Sequence, residues 1–300
     1  MSFNRFLPYS ANFSRLDNRI ADEATQQKYY NRWMLKYSKV FSKNDNWPVI
    51  EWDLRCRKAL REIFTSATFF AEAKVNLKMK CFSSYYFCLY YSLFHALYSA
   101  LFLDTESELD KLFEINHSNL ITRFISAYGN TKDDILDRDV EKLFQQSKYR
   151  REYYSYFTPL NNLFAQGEEL ELLHDTILDC YQLVAFHSFM LHKSSCKHSS
   201  GIACIETDIK EQFDATFVQL FSKSDENGNF QLDDSAQNMR TEIMKHGAMP
   251  DCLLLDLDHQ FDEFHTYDSF YTEHYENMLQ ISDIWQEIAS ALIFGEDTPQ

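Results

Sequence analysis

With 300 residues, 45% of them apolar and 16% aromatic, the chain has enough material for a sizeable core, which excludes a disordered polypeptide and points to one large domain plus a smaller one. Its 26 Phe and 18 Tyr mean that rings, some needing hydroxyl partners, fill much of that core. The net charge of −16 argues against a general polyanion binder, yet it is unevenly spread: residues 1–100 carry 15 Lys and Arg against 8 Asp and Glu, residues 101–200 carry 10 against 16, and residues 201–300 carry 4 against 21.

A basic first third suits RNA phosphates, and the acidic last third could repel them or cover the basic region; solvated helix faces account for the same charges. Only six glycines occur, each where a helical pattern stops, and the five prolines sit at the edges of periodic segments. An all-α fold is expected. Seven cysteines without a C-x-x-C pair read as reduced core thiols, and the N-terminus lacks an apolar run ending in small residues, so the cytoplasm is the expected compartment. No G-x-G-x-x-G, Walker-type loop or G-x-S-x-G elbow is present, which disfavours dinucleotide, classical nucleoside-triphosphate and hydrolase chemistry.

Residues 1–48 are polar and aromatic and are expected to form an arm or short helices ending at Asn46-Trp47-Pro48. From Asp53 to about Lys78, Leu60, Ile63, Phe64, Ala67, Phe70 and Ala71 recur at three- and four-residue steps, predicting a first long helix. Residues Tyr85–Leu103 follow without a single charge, a run long enough to span a bilayer. Its five tyrosines, two serines and His95 are spread along the whole length, which suits the central helix of a bundle.

A third element is predicted over His117–Tyr128, a fourth from Thr131 to Phe157, and a fifth from Gly167-Glu168-Glu169 to about Lys193. Residues 193–201, KSSCKHSSG, read as a linker between a bundle at 49–200 and an acidic helical module at 201–300. That module is expected to hold a helix near Asp208–Phe221, a loop, a short helix at Asp234–His246, the apolar run Cys252–Asp258 and a last long helix.

The order of a long amphipathic helix, the tyrosine-rich helix, NHSNLITRF and YRREYYSYF resembles HEPN domains, named from higher eukaryotes and prokaryotes nucleotide-binding, over roughly residues 50–195. The YYAxFHA-like second helix of that family is matched by Tyr90, Tyr91, Phe94, His95 and Ala96, and the histidine opening its third helix by His117. Its R-E-x-x-D-Y or R-x4-6-H element is matched by Arg151-Glu152-Tyr153-Tyr154-Ser155-Tyr156, with Ser155 where the family has an acid or a histidine. The resemblance implies a four-helix bundle that pairs with a second copy, and metal-independent RNA cleavage in which an Arg and a His serve a 2′-hydroxyl attacking the adjacent phosphate. Histidine moves the proton near neutral pH and arginine holds the developing charge with a planar fork.

Serine cannot replace that histidine, so Arg150, Arg151, Glu152 and Tyr156, with His95 and His117, are expected to bind RNA or nucleotide, the two histidines reading as hydrogen-bonded core or interface residues rather than as catalysts. Catalysis is then expected at Arg240 and His246, an R-x5-H-G string similar to the family's R-N-x-x-x-H-G element, nearly two turns apart and roughly on one side of a helix that Gly247 ends. A helix-terminal histidine beside a surface arginine gives the same string.

Other constellations carry less. Cys252–Asp258 resembles a strand delivering paired carboxylates to Mg²⁺ but has no phosphate loop before it. Asp258, Asp262 and His265 could share a helical face and hold a transition metal, but they read better as an acidic solvated face. His187, His192, Cys196, His198 and Cys204 lack the paired spacing of structural zinc, and the calcium-like loop at Lys223–Asp234 has lysine at the first ligand position. The expected function is an RNA-targeting, toxin-like effector of bacterial defence or toxin–antitoxin type, needing no cofactor, forming a homodimer and meeting an inhibitory protein or RNA. The alternative is a non-catalytic adaptor that binds nucleotide, RNA or a partner protein.

Overall fold

A computed structural model describes residues 2–7, 12–42, 45–129, 134–136, 139–157, 168–198, 201–224 and 227–250, together with 288 and 290, and only the backbone of 168–170. Of the described residues 75% are helical, so the all-α class read from the glycine and proline pattern is the class observed. After a 3-10 turn at Phe3–Phe6 come α1 (Ser14–Arg19), α2 (Glu23–Val40), α3 (Trp47–Lys78), α4 (Phe82–Leu101), α5 (Leu109–Leu112) and α6 (Leu120–Tyr128). There follow α7 (Asp139–Tyr156), α8 (Glu168–His198), α9 (Lys210–Phe221), the two-residue strands β1 (Lys223–Ser224) and β2 (Phe230–Gln231), and α10 (Asp234–His246). Among the described residues no helix is long and apolar enough to cross a membrane.

The chain divides into two units, one of residues 1–29, 59–185 and 279–300 and the other of residues 30–58 and 186–278. In the first, α4 packs on α6 and α7, and α3 reaches it through Ser66 and Glu62. The uncharged run of α4 buries Tyr85, Tyr86, Leu89, Tyr90, Leu93, Ala96, Leu97 and Ala100, and the polar atoms among them find partners. Ser66 of α3 donates to the Ser92 carbonyl at 2.7 Å and bonds the Tyr181 hydroxyl of α8 at 2.8 Å. Tyr128 closes on the Ala100 carbonyl at 2.7 Å, and Tyr86 stacks on Tyr154 of α7 at 4.5 Å. Of the tyrosines of α4, Tyr98 donates to the Leu112 carbonyl at 2.9 Å and the Tyr85 hydroxyl lies 3.3 Å from His174 Nε2, which is how a tyrosine-rich helix serves as a core, since a buried hydroxyl without a partner costs about 1–3 kcal/mol. Arg15 and Arg19 of α1 both reach the buried Asp179 of α8.

In the second unit, Trp33 and Tyr37 contact His187, whose Nδ1 lies 2.8 Å from the Tyr37 hydroxyl, and Trp52 packs edge-on against Tyr37. Asp233 caps α10 by accepting from the Ala236 N–H at 2.7 Å. Gly247 ends that helix at φ +89°, where a Cβ would meet Ile202 Cγ2 at 2.7 Å, so both the backbone and the available space demand glycine. Ala203 and Ala248 then exchange two backbone bonds of 2.8 Å.

Several elements differ from expectation: the helix expected from Thr131 begins at Asp139, and the one expected from Asp53 begins at Trp47. The first 48 residues hold the 18-residue helix α2, whose buried face of Gln26, Tyr29, Trp33 and Tyr37 is aromatic and polar. Helix α8 runs on through His198, so the first six residues of the expected linker are helical, with Ser194 and Ser195 fully buried. The expected loop after α9 carries the β1–β2 ribbon, pairing Lys223 with Gln231 and Ser224 with Phe230. The run Cys252–Asp258, the last long helix, and Asp258, Asp262 and His265 lie outside the described residues.

Candidate nucleic-acid interface

Where the apolar face of α4 meets its edge, Tyr90 is buried while Tyr91, Phe94 and His95 are half-buried. His95 is held from α3: its Nδ1 lies 2.6 Å from Oε2 of the buried Glu62, and its ring stacks on Phe69 at 5.8 Å and 13°. His117 comes from the turn before α6, which is fixed by reciprocal side-chain caps. Asn116 Oδ1 accepts from the Ser118 N–H at 2.9 Å, and Asn119 Oδ1 accepts from the Asn116 N–H at 2.8 Å. The His117 Nδ1 lies 2.8 Å from the Tyr90 hydroxyl. Both imidazoles flank Phe94, at 5.4 Å for His95 and 4.9 Å for His117, so their ring centres lie no farther apart than those two distances combined.

Helix α7 supplies the charge. The Arg151 guanidinium lies 4.5 Å over the Tyr90 ring and 6.0 Å from that of Tyr91, and its Nη2 pairs with Glu152 at 3.1 Å. Burial, with the positive charges of Arg151, Lys148 and His95, holds the His117 imidazole below the usual histidine range, and Glu152 opposes them. Burial also raises the Tyr90 phenol above the ordinary tyrosine value, against the pull of Arg151.

These environments assign the ring protons. The Tyr90 phenol stays protonated, and its one hydrogen-bond partner among the described residues is His117 Nδ1, so it donates there and the neutral His117 ring carries its own proton on Nε2. His95 donates Nδ1–H to the Glu62 carboxylate, so that in the neutral form of the ring the lone pair is on Nε2. Neither Nε2 has a hydrogen-bond partner among the described residues. One imidazole is thus arranged to accept a proton and the other to give one, beside a guanidinium. No group of three or more His, Cys, Asp or Glu that could hold a metal ion occurs among the described residues.

The remaining expected site residues fall elsewhere. Arg150 is buried, its charge acting on the Tyr85 and Tyr86 phenols, whereas Tyr156 is 78% exposed. In the second unit, Arg240 turns to Asp214 of α9, with Nε 3.0 Å from Oδ1. His246 turns to Glu242 on its own helix, with Nε2 3.3 Å from Oε2. A six-residue step leaves two side chains about 120° apart on an α-helix, which is why Arg240 and His246 meet different carboxylates. His187 is a core residue, and His192 Nε2 lies 3.7 Å from Cys196 Sγ.

Glu62 and Lys148 belong to the cluster and were not singled out from sequence. The signal for Glu62 was a carboxylate between Leu60 and Ile63 on the stripe that faces α4; for Lys148, its place three residues before Arg151 on α7. Fold and cluster together define an all-α protein with a paired-imidazole, guanidinium-flanked surface site. Comparison of the chain with protein-family models, with curated proteins and with solved structures found no match in any of the three.

Proposed function

We propose that this chain is an RNA-targeting effector that cuts RNA without a metal ion at the His95, His117 and Arg151 cluster. The observation that carries this reading is the pair of imidazoles, each anchored through Nδ1 and each with Nε2 open, beside Arg151 and Lys148. His95 Nε2 takes the proton of a 2′-hydroxyl, and the 2′-oxygen bonds to the adjacent phosphorus. The bond from phosphorus to the 5′-oxygen breaks, and His117 Nε2–H protonates that oxygen. A 2′,3′-cyclic phosphate and a 5′-hydroxyl result, while Arg151 and Lys148 stabilise charge on the non-bridging oxygens. The resemblance to HEPN domains supports the same chemistry and suggests a toxin-like role in bacterial defence or a toxin–antitoxin system, with a second copy and an inhibitory protein or RNA as partners.

A second reading, a non-catalytic adaptor that binds RNA, nucleotide or a partner protein, is favoured by Ser155 in place of the family's acid or histidine and by the existing Arg151–Glu152 pair. Oligoribonucleotide incubated with the protein in EDTA separates them. The nuclease reading predicts fragments ending in a 2′,3′-cyclic phosphate, and their loss when the nucleotide before the cut lacks its 2′-hydroxyl. Binding without fragments supports the adaptor.

A further inference from the structure

The aromatic seam between α3 and α4 does not end at the histidines. Phe69 of α3, stacked on His95, also contacts Tyr91 at 5.6 Å and Phe87 at 6.5 Å, and Phe87 contacts Tyr91 at 4.6 Å. These rings are not core: Phe87 is 43% exposed, and Phe69 and Tyr91 are half-buried. The patch is also small and bounded, because next along the seam Glu72 and Asn76 of α3 turn to Cys88. A stable protein interface covers about 800 Å² per partner, far more than the open parts of three rings offer. At its other end the patch is continuous with charge, since Tyr91 contacts His117 at 5.7 Å and lies 6.0 Å from the Arg151 guanidinium.

We propose that Phe69, Phe87 and Tyr91 form a platform on which an unpaired nucleobase stacks while the neighbouring phosphate lies at the histidines and Arg151, so that the substrate is single-stranded RNA. The inference rests on the proposed nuclease site and names its substrate class. A base already paired and stacked in a duplex cannot offer its face to a protein ring, whereas every unpaired base can, whatever its identity. Aromatic surface joined to a guanidinium complements one nucleotide of a single strand, with the ring for the base and the cation for its phosphate. Sequence preference is therefore weak and strandedness preference strong.

The test is fluorescence anisotropy of the full-length protein with a labelled, uncuttable 2′-O-methyl oligouridylate, and with a 2′-O-methyl duplex of equal length. The single strand binds more tightly, Phe87→Leu weakens it about tenfold or more, and Phe87→Trp retains it. Phe87 is partly exposed, so thermal unfolding of these variants stays close to wild type. Equal binding of duplex and single strand overturns the platform, as does unchanged binding by Phe87→Leu. A change in sedimentation of Phe87→Leu with RNA binding intact also overturns it and marks the rings as a contact between copies. If the single strand binds through Phe87 while natural oligouridylate is never cut, the platform stands and the nuclease reading fails.

Discussion

His117 and His187 are held by the same bond in the two units of the chain. In each, a fully buried tyrosine, Tyr90 or Tyr37, places its hydroxyl 2.8 Å from the imidazole Nδ1. In each, burial is the largest influence holding the ring below the usual histidine range. Their surroundings differ. His187 is wholly buried, with Trp33 edge-on at 4.4 Å, whereas His117 is half-buried, with an open Nε2 and the charges of His95, Lys148 and Arg151 around it. A tyrosine tether therefore does not mark a functional histidine. What faces the other ring nitrogen does.

Breaking the charged side of this contrast has a larger effect than breaking either tether. Arg151→Ala lowers kcat/KM for RNA by about 10²–10³-fold, as expected for a donor aimed at developing charge, with circular dichroism unchanged; a loss under threefold would remove Arg151 from the reaction. The two tethers then separate the histidines. Tyr90→Phe releases the His117 tautomer and lowers the cleavage rate about fivefold, the equivalent of one hydrogen bond of about 1 kcal/mol. Tyr37→Phe leaves cleavage unchanged and lowers the unfolding free energy by a similar ~1 kcal/mol.

Acid sharpens the comparison. The folded pKa of His187 is depressed, so below the ordinary histidine value near 6.5 the unfolded chain binds a proton that the folded chain does not. Its stabilising contribution is complete above that pH and is lost as pH falls, at up to ~1.4 kcal/mol per pH unit. His187→Phe flattens that slope in urea titrations from pH 7 to 5. The smallest effect belongs to α9 and α10 of the second unit: Arg240→Ala removes a partly exposed pair with Asp214, costs under ~1 kcal/mol in thermal melts and leaves RNA cutting intact.

The helical class was readable because, among the described residues, glycine and proline stay out of helix interiors, and α10 matched its expected bounds because Asp233 and Gly247 are strong caps. Helix α2 was harder to see, since its buried face includes Gln26 and tyrosines that a polarity pattern scores as neutral. The end of α8 was hidden by Ser194 and Ser195, whose small side chains bury readily but resemble loop composition. For the site, His95, His117 and Arg151 could be found from the motif, yet their convergence depends on Glu62 from α3 and the pinned turn at Asn116–Asn119. The spacing of Arg240 and His246 suggested one face, whereas helical rotation sends them to Asp214 and Glu242.

The most direct measurement is the rate of RNA cleavage in EDTA by His95→Ala, His117→Ala and His246→Ala assayed in parallel on one oligoribonucleotide. Loss of a proton-transfer group predicts rates about 10²–10⁴-fold lower for the first two, with His246→Ala matching wild type. Abolition of cutting in His246→Ala, with His95→Ala and His117→Ala still active, would contradict the account.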